Sequence, residues 1–122
     1  MRCRLLPLLA LAACGPAIQQ SPEKQAIADD LHREILAPQT QYRNETGVKV
    51  LAACIKWQGQ RPVSYSSIKG YFYPTAVAAA NRPIGDLERQ ALGDCVADVP
   101  PENRGCECQI ADKNAQNAIV VP

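Results

Sequence analysis

Residues 48–57 have the sequence Val-Lys-Val-Leu-Ala-Ala-Cys-Ile-Lys-Trp, and this stretch decides the fold. Successive side chains on a β-strand point to opposite faces of the sheet. Both faces of a strand here would be apolar, with Val48, Val50, Ala52 and Cys54 on one and Leu51, Ala53, Ile55 and Trp57 on the other. A strand that is apolar on both faces has to be covered from both sides, so we expect a central strand between two layers.

The residues after this strand predict a turn and a second strand. Gly59 to Pro62 has turn composition, and Tyr65 to Tyr73 is rich in aromatic and hydroxyl side chains, which favour a strand. Gly70 within it suggests a bend or a bulge. The alanine-rich run at 76–80 is too short to be assigned to helix or strand.

Two helices are predicted, one before these strands and one after them. The first begins at the N-cap Ser21 and ends before Pro38, with its apolar face formed by Ala26, Ile27, Leu31 and Ile35. The second follows Pro83, with its apolar face formed by Ile84, Leu87, Ala91, Leu92 and Cys95. Residues 38–46 and 98–105 are expected to be surface connections. A terminal hairpin is expected, with strands at 106–111 and 118–121.

The N-terminus has the layout of a secretory signal. Met1, Arg2 and Arg4 give a positively charged start, and residues 5–13 are largely apolar. That run has less than half of the roughly 20 apolar residues that a membrane-spanning helix needs. It ends in Leu11-Ala12-Ala13-Cys14, which resembles the lipobox of bacterial lipoprotein precursors.

The resemblance to lipoprotein precursors implies how the chain is processed and anchored. In that family the cysteine thiol receives a diacylglycerol, the chain is cut before the cysteine, and the new amino group is acylated. Residues 1–13 would then be a signal peptide, 14–20 a lipidated tether and 21–122 one small domain. No acidic residue directly follows Cys14. By further resemblance to lipoproteins of enteric bacteria, this implies that the protein is anchored at the periplasmic face of the outer membrane rather than the inner one. Alternatively, Ala10-Leu11-Ala12 fits a conventional cleavage site that would release a soluble protein.

The composition of the mature chain excludes some partners. Cleavage leaves 109 of the 122 residues, enough for one small domain. It also takes Arg2 and Arg4 from the 13 basic residues, which leaves 11 against 12 acidic ones. A net charge of −1 creates no field that would attract nucleic acid, so no nucleic-acid partner is expected.

Four cysteines remain in the predicted domain: Cys54, Cys95, Cys106 and Cys108. An even number in a small exported domain predicts two disulfides. Cys106 and Cys108 would point to the same face of a strand. We expect Cys95 to bridge one of them and Cys54 the other, and the sequence leaves open which.

The same cysteines suggest two other roles, redox chemistry and zinc binding. Cys106-Glu107-Cys108 could act as a redox dithiol, but the sequence places neither a helix N-terminus nor a cation beside it to lower a thiol pKa. A zinc site would need paired cysteine spacings that the chain lacks and is disfavoured in an oxidising compartment. We therefore expect a structural role for all four cysteines, with no metal and no cofactor.

The remaining candidate residues are aromatic or titratable. Trp57, Tyr65, Tyr71 and Tyr73 could line a binding surface on neighbouring strands, although aromatics in so small a domain are also needed for packing. His32 has no nucleophile near it in the sequence, which favours a solvated or half-buried helical histidine over a general base. Asp29 and Asp30 diverge around the helix and are expected to form a solvated face.

A second resemblance is shorter. Gln90 to Cys95 and Gly105 to Ile110 are similar to parts of uncharacterised small secreted bacterial domains, in which a helix ending in cysteine leads through a loop into a cysteine-bearing strand. It implies an α+β fold with disulfides and no activity.

Together these patterns predict an α+β domain with a small, mostly antiparallel sheet of three to four strands, two helices and two disulfides. The expected function is that of a lipid-anchored, non-enzymatic binding or structural protein of the cell envelope, with the membrane and another envelope protein as partners. One alternative is a periplasmic inhibitor or small-ligand binder that uses the aromatic strand surface. The other is a thiol–disulfide redox protein that uses Cys106 and Cys108.

Overall fold

The computed structural model describes residues 20–74 and 83–122. These ranges contain, in chain order, helices α1 (Pro22–Leu36) and α2 (Thr40–Asn44), strands β1 (Val48–Gln58) and β2 (Arg61–Tyr73), helix α3 (Ile84–Ala97), a 3₁₀ turn (Pro101–Asn103), and strands β3 (Glu107–Lys113) and β4 (Gln116–Asn117). The strands form one antiparallel sheet in the order β2-β1-β3-β4. The predicted α+β class and antiparallel sheet are confirmed. The signal, Cys14 and the alanine run at 76–80 lie outside the described residues.

Strand β1 is the centre of the sheet, as its two apolar faces predict. It pairs with β2 on one side and with β3 on the other, and residues 50–55 are almost completely buried. On one face Leu51, Ala53 and Ile55 belong to the core that α1 covers. On the other face Ala52 and Cys54 pack with α3. The sheet therefore has a helical layer on each side.

Helix α1 starts as its sequence predicts. The Ser21 hydroxyl accepts a hydrogen bond from the Lys24 amide at 3.2 Å, which satisfies one of the free amides at the helix N-terminus. Ala28, Leu31 and Ile35 are the buried residues of the helix. The predicted apolar face was slightly wrong, because Ala26 is exposed and Ala28 takes its place in the core.

Helix α2 was not predicted, because residues 38–46 have the polar composition of a surface connection. Its only buried residue is Tyr42, which is 5% exposed. The Tyr42 ring packs against Gly70 of β2, where an added Cβ would lie 3.1 Å from the ring carbon Cδ1. One aromatic residue in a polar segment creates no periodic pattern, so this contact could not be predicted.

Strand β2 begins four residues earlier than expected, and its pairing with β1 is irregular at two places, neither of them at Gly70. The pairing shifts between Ala52–Lys69 and Cys54–Ser66, where residues 67 and 68 lie opposite the single residue Ala53, and again between Lys56–Ser64 and Trp57–Pro62, where Val63 is the extra residue. At the first of these shifts Ser67 has a positive φ of 52°. Gly70 stays in register opposite Leu51, so its role is to leave room for the Tyr42 ring rather than to form the bulge.

Two disulfides crosslink the domain. Cys54 on β1 is joined to Cys106, the residue before β3 (the long bridge, 52 residues apart), and Cys95 on α3 is joined to Cys108 on β3 (the short bridge, 13 residues apart). This is one of the two arrangements that the sequence left open. The prediction of two disulfides is confirmed.

The C-terminal segment is held by glutamine side chains rather than by a long strand. Strand β4 has only two residues, whereas the expected strand was 118–121. The Gln20 carboxamide donates to the Ile119 carbonyl and accepts from the Val121 amide, at 2.9 and 2.7 Å. Gln109 makes the same pair of bonds with Val120, at 3.2 and 2.8 Å. These contacts join the start of the described domain to its end.

Candidate functional site

The four aromatic residues proposed as a binding surface do not share one face. Trp57 and Tyr65 pack against the core on the α1 side of the sheet. Tyr71 packs on the α3 side, where its hydroxyl donates to Asp94. Tyr73 lies at the far end of β2, opposite Val48. The structure therefore brings Tyr65 and Trp57 to one side of the sheet and separates them from Tyr71.

Tyr65 lines a cavity that we name the helix–edge groove. It has a volume of about 360 Å³ and lies between α1 and the first part of β2. Four residues of α1 line it, together with five consecutive residues of β2, 61–65. Trp57 lines a different and smaller cavity beside Pro122.

Five consecutive residues of β2 line the groove, and a bulge lies within this run. On a regular strand only alternate residues would reach one face of the sheet. The pairing with β1 shifts between Lys56–Ser64 and Trp57–Pro62, so Val63 is the extra residue. In the described part of the chain β2 is the outermost strand on that side of the sheet, and the groove lies beside this irregular part of it.

The helical wall of the groove combines apolar and acidic residues. Ile27 and Leu31 lie at its base, and Asp30 and Glu34 lie further out. Burial, followed by the charge of Glu34 and a hydrogen bond with it, raises the pKa of Tyr65. Asp30 forms an exposed ion pair with Arg33. Asp30 was expected on a solvated face, and Ile27 and Leu31 were expected in the core. The groove itself was not predicted, because its shape depends on where α1 lies along the sheet.

A second cluster of polar side chains contacts α1 at His32, and we name it the Asp112 cluster. The Asp112 side chain is fully buried and accepts a hydrogen bond from the Tyr42 hydroxyl at 2.6 Å. Nε2 of His32 lies 2.7 Å from its other carboxylate oxygen. The Ala115 amide donates to Asp112 as well, at 3.1 Å. One carboxylate thus connects α1, α2 and the turn between β3 and β4.

Lys49 extends this cluster on the α2 side. Its side chain is buried, and Nζ donates to the carbonyl groups of Tyr42 and Arg43 at 3.0 and 3.2 Å. The same Nζ lies 4.9 Å from the centre of the Tyr42 ring. Burial first, and then the contact with Asp112, raise the pKa of the Tyr42 hydroxyl well above its ordinary value. Tyr42 therefore stays neutral and serves as a donor.

The pair of His32 and Asp112 resembles half of a catalytic triad in its geometry, and its surroundings favour a structural role. A shallow cavity beside His32 is lined by Arg33, Leu36, Ala37 and Arg43. Neither a hydroxyl nor a thiol side chain lines that cavity among the described residues, so the histidine has no nucleophile to activate there. The prediction of a half-buried helical histidine agrees with its 17% side-chain exposure, but its partner Asp112 was missed.

The cysteines form a compact group of sulfur atoms. The Sγ atoms of Cys54, Cys95 and Cys108 all lie within 4.8 Å of one another. Cys106, which was expected on the strand, lies just before β3 and is bonded to β1, whereas Cys108 on β3 is bonded to α3. The described residues include no free cysteine. A metal ion would require thiolates in place of these bridges. The arrangement supports crosslinking of β1, β3 and α3.

Comparisons with protein-family models, with curated proteins and with solved structures found no match. No helix among the described residues is both long and apolar enough to cross a membrane.

Proposed function

We propose that this chain is an exported lipoprotein, held by lipid on Cys14 at the periplasmic face of the outer membrane, whose domain acts as a non-enzymatic binding or structural protein. The observation that carries the proposal is the sequence Leu11-Ala12-Ala13-Cys14 after a basic start and a short apolar run. A lipid-anchored protein of this kind needs a stable domain and a tether. Residues 21–122 supply the first and residues 14–20 the second.

The length of the tether limits where the domain can act. Gln20 is the sixth residue after Cys14, and a fully extended chain covers at most about 3.3–3.6 Å per residue. Gln20 would therefore stay within roughly 22 Å of Cys14, and Pro22, the first residue of α1, within roughly 29 Å. Because Gln20 is bonded to Ile119 and Val121, the C-terminus would be held near the membrane too.

The cysteine pairing supports the structural role of Cys54, Cys95, Cys106 and Cys108 over redox chemistry. A thiol–disulfide enzyme needs an accessible cysteine with a lowered pKa. Here Cys54 and Cys95 are 1% and 0% exposed, and each holds one of the partly exposed strand cysteines. The domain thus uses its four cysteines for stability, as small exported domains commonly do.

A second candidate function, a periplasmic inhibitor or small-ligand binder, is favoured by one observation. The volume of the helix–edge groove is within the range of about 300–1,000 Å³ that is usual for small-molecule sites. Tyr65 is then the member of the aromatic set that would contact the ligand. This function does not depend on whether the protein is anchored by lipid on Cys14 or released as a soluble protein.

The anchor is tested by expressing the full chain in a Gram-negative host and separating membranes from soluble periplasm. The wild-type protein should be in the membrane fraction, with an N-terminal peptide that starts at Cys14 and carries the mass of the lipid. Cys14→Ser should remove the lipid and the membrane attachment. Cys3→Ser, in the signal segment, is the matched control and should change neither. A soluble wild-type protein with an unmodified Cys14 would disprove the proposal.

A further inference from the structure

We propose that the two disulfides form one exchange unit, a redox-sensitive switch that responds to a small external thiol. The thiol opens the long bridge at Cys106 and frees Cys54. Cys54 then takes Cys108 from its partner Cys95, so that the short bridge is lost and α3 is released from its covalent link to the sheet. The switch acts within the cysteine group and does not depend on the anchor.

The sulfur atoms of the two bridges lie close enough to react with one another. The Sγ atoms of Cys54, Cys95 and Cys108 are all within 4.8 Å of one another, although Cys54 belongs to the long bridge and the other two form the short one. Thiol–disulfide exchange is a direct attack of a thiolate on a disulfide sulfur. A thiolate formed at Cys54 therefore needs only a small side-chain movement to reach the short bridge.

The backbone already places Cys54 and Cys108 as a pair. They are direct partners in the antiparallel register of β1 and β3. The Cα atoms of such partners lie about 4.5–5.5 Å apart, which is within the range of about 4.4–6.8 Å that disulfides span. The new bridge therefore needs no shift of either strand. It is also the alternative partner for Cys54 that the sequence left open.

The point of entry follows from the exposure of the cysteines. Cys54 and Cys95 are 1% and 0% exposed, whereas Cys106 and Cys108 are partly exposed. A dissolved thiol therefore meets each bridge at its outer sulfur. Both chain neighbours of Cys106 are exposed, while Cys108 lies inside the strand that pairs with β1. Cys106 is thus the sulfur that an incoming thiol reaches first.

Each step exchanges one disulfide for another, so no oxidant is needed. The incoming thiolate bonds to Sγ of Cys106 as the bond to Cys54 breaks, and the electron pair leaves on the Cys54 sulfur. This thiolate bonds to Sγ of Cys108 as the bond between Cys95 and Cys108 breaks. Cys95 leaves as a thiolate and takes up the proton that the incoming thiol lost. Two disulfides and one thiol are present before and after.

The consequence falls on α3. In the product β1 and β3 are still crosslinked, through Cys54 and Cys108, whereas α3 keeps only non-covalent contacts with the sheet. Two of these are the hydrogen bond from the Ser67 hydroxyl to the Cys95 carbonyl, at 2.6 Å, and the one from Tyr71 to Asp94. The exchange therefore loosens one helical layer and leaves the sheet covalently closed.

The test uses the mature chain as purified and reduced glutathione, at concentrations where circular dichroism shows that the protein stays folded. After acid quenching and alkylation, mass spectrometry of a non-reduced digest identifies the cysteine pairs. We expect glutathione on Cys106, a crosslink between Cys54 and Cys108, and an alkylated Cys95 that increases together with this crosslink.

Two variants open the long bridge without glutathione. Cys106→Ser leaves the Cys54 thiol, so the purified variant should contain the crosslink of Cys54 to Cys108 and an alkylatable Cys95. Cys54→Ser is the matched control, because it opens the same bridge but removes the attacking sulfur. Cys106 is not one of the three mutually close cysteines, so the control should keep its short bridge.

Three results would overturn the proposal. One is a Cys54 thiol that stays free beside an intact short bridge, in the Cys106→Ser variant or in glutathione-treated wild-type protein. Another is wild-type protein that acquires no glutathione on Cys106. The third is a crosslink between Cys106 and Cys108, which indicates scrambling of an unfolded chain. The wild-type experiment decides the matter if a variant does not fold, and none of these results bears on lipid at Cys14.

Discussion

Replacing Asp112 with alanine removes an acceptor that three donors share: the Tyr42 hydroxyl, the His32 ring and the Ala115 amide. Each buried donor left without a partner costs about 1–3 kcal/mol. Tyr42 is 5% exposed, so water replaces its lost acceptor poorly, whereas the half-buried His32 recovers part of its loss. We therefore expect the free energy of unfolding to fall by about 3–6 kcal/mol. That is a large part of the total of about 5–15 kcal/mol for such a domain.

The assay is equilibrium unfolding in urea, followed by circular dichroism with both disulfides intact. Asp112→Asn keeps the shape and one acceptor oxygen, and it should lose less, about 1–2 kcal/mol. Asp30→Asn is the matched control, since its side chain is 74% exposed and its ion pair should contribute less than about 1 kcal/mol. A loss below about 1 kcal/mol in the alanine variant, at an unchanged denaturant slope, would refute the reasoning.

Three further predictions concern the fold. Replacing both cysteines of the long bridge with alanine should lower the free energy of unfolding by about 4 kcal/mol, and the same change in the short bridge by about 3 kcal/mol, because the longer loop restricts the unfolded chain more. Urea unfolding measures both losses, and the opposite order would contradict this prediction. Gly70→Ala should destabilise the fold by about 1–3 kcal/mol, because the Cβ of the alanine would press on the Tyr42 ring, which a hydrogen bond to Asp112 holds in place. An unchanged melting temperature would argue against that contact. The raised pKa of Tyr42 favours its neutral form in the folded state, so stability should be complete below about pH 10 and fall above it. Tyrosinate absorbance would check this, since Tyr42→Phe should remove one late-titrating group.

The regular parts of the fold could be predicted because they depend on local patterns. The two apolar faces of β1 required a layer on each side, and α1 and α3 supply those layers. The N-cap of α1 and the two disulfides followed from residue types whose effect is largely independent of the rest of the chain. These signals require no knowledge of how distant segments meet.

The polar cluster and the groove could not be predicted, because their members are distant in sequence. Tyr42 and His32 lie 70 and 80 residues before Asp112, and nothing in a strand-ending Ala-Asp-Lys sequence indicates a buried acid. The groove depends on the position of α1 along the edge of β2. Tyr65 was named as a candidate residue, but its partner Glu34 was assigned to no site.

The central claim is that Cys14 carries lipid while the other four cysteines of the mature chain hold the fold. The most direct measurement is the intact mass of protein extracted from membranes, before and after alkylation without reduction. We expect the extracted protein to begin at Cys14, to carry the mass of three acyl chains and to take up no alkylating agent. A chain that takes up one alkyl group at an unmodified Cys14 would contradict it.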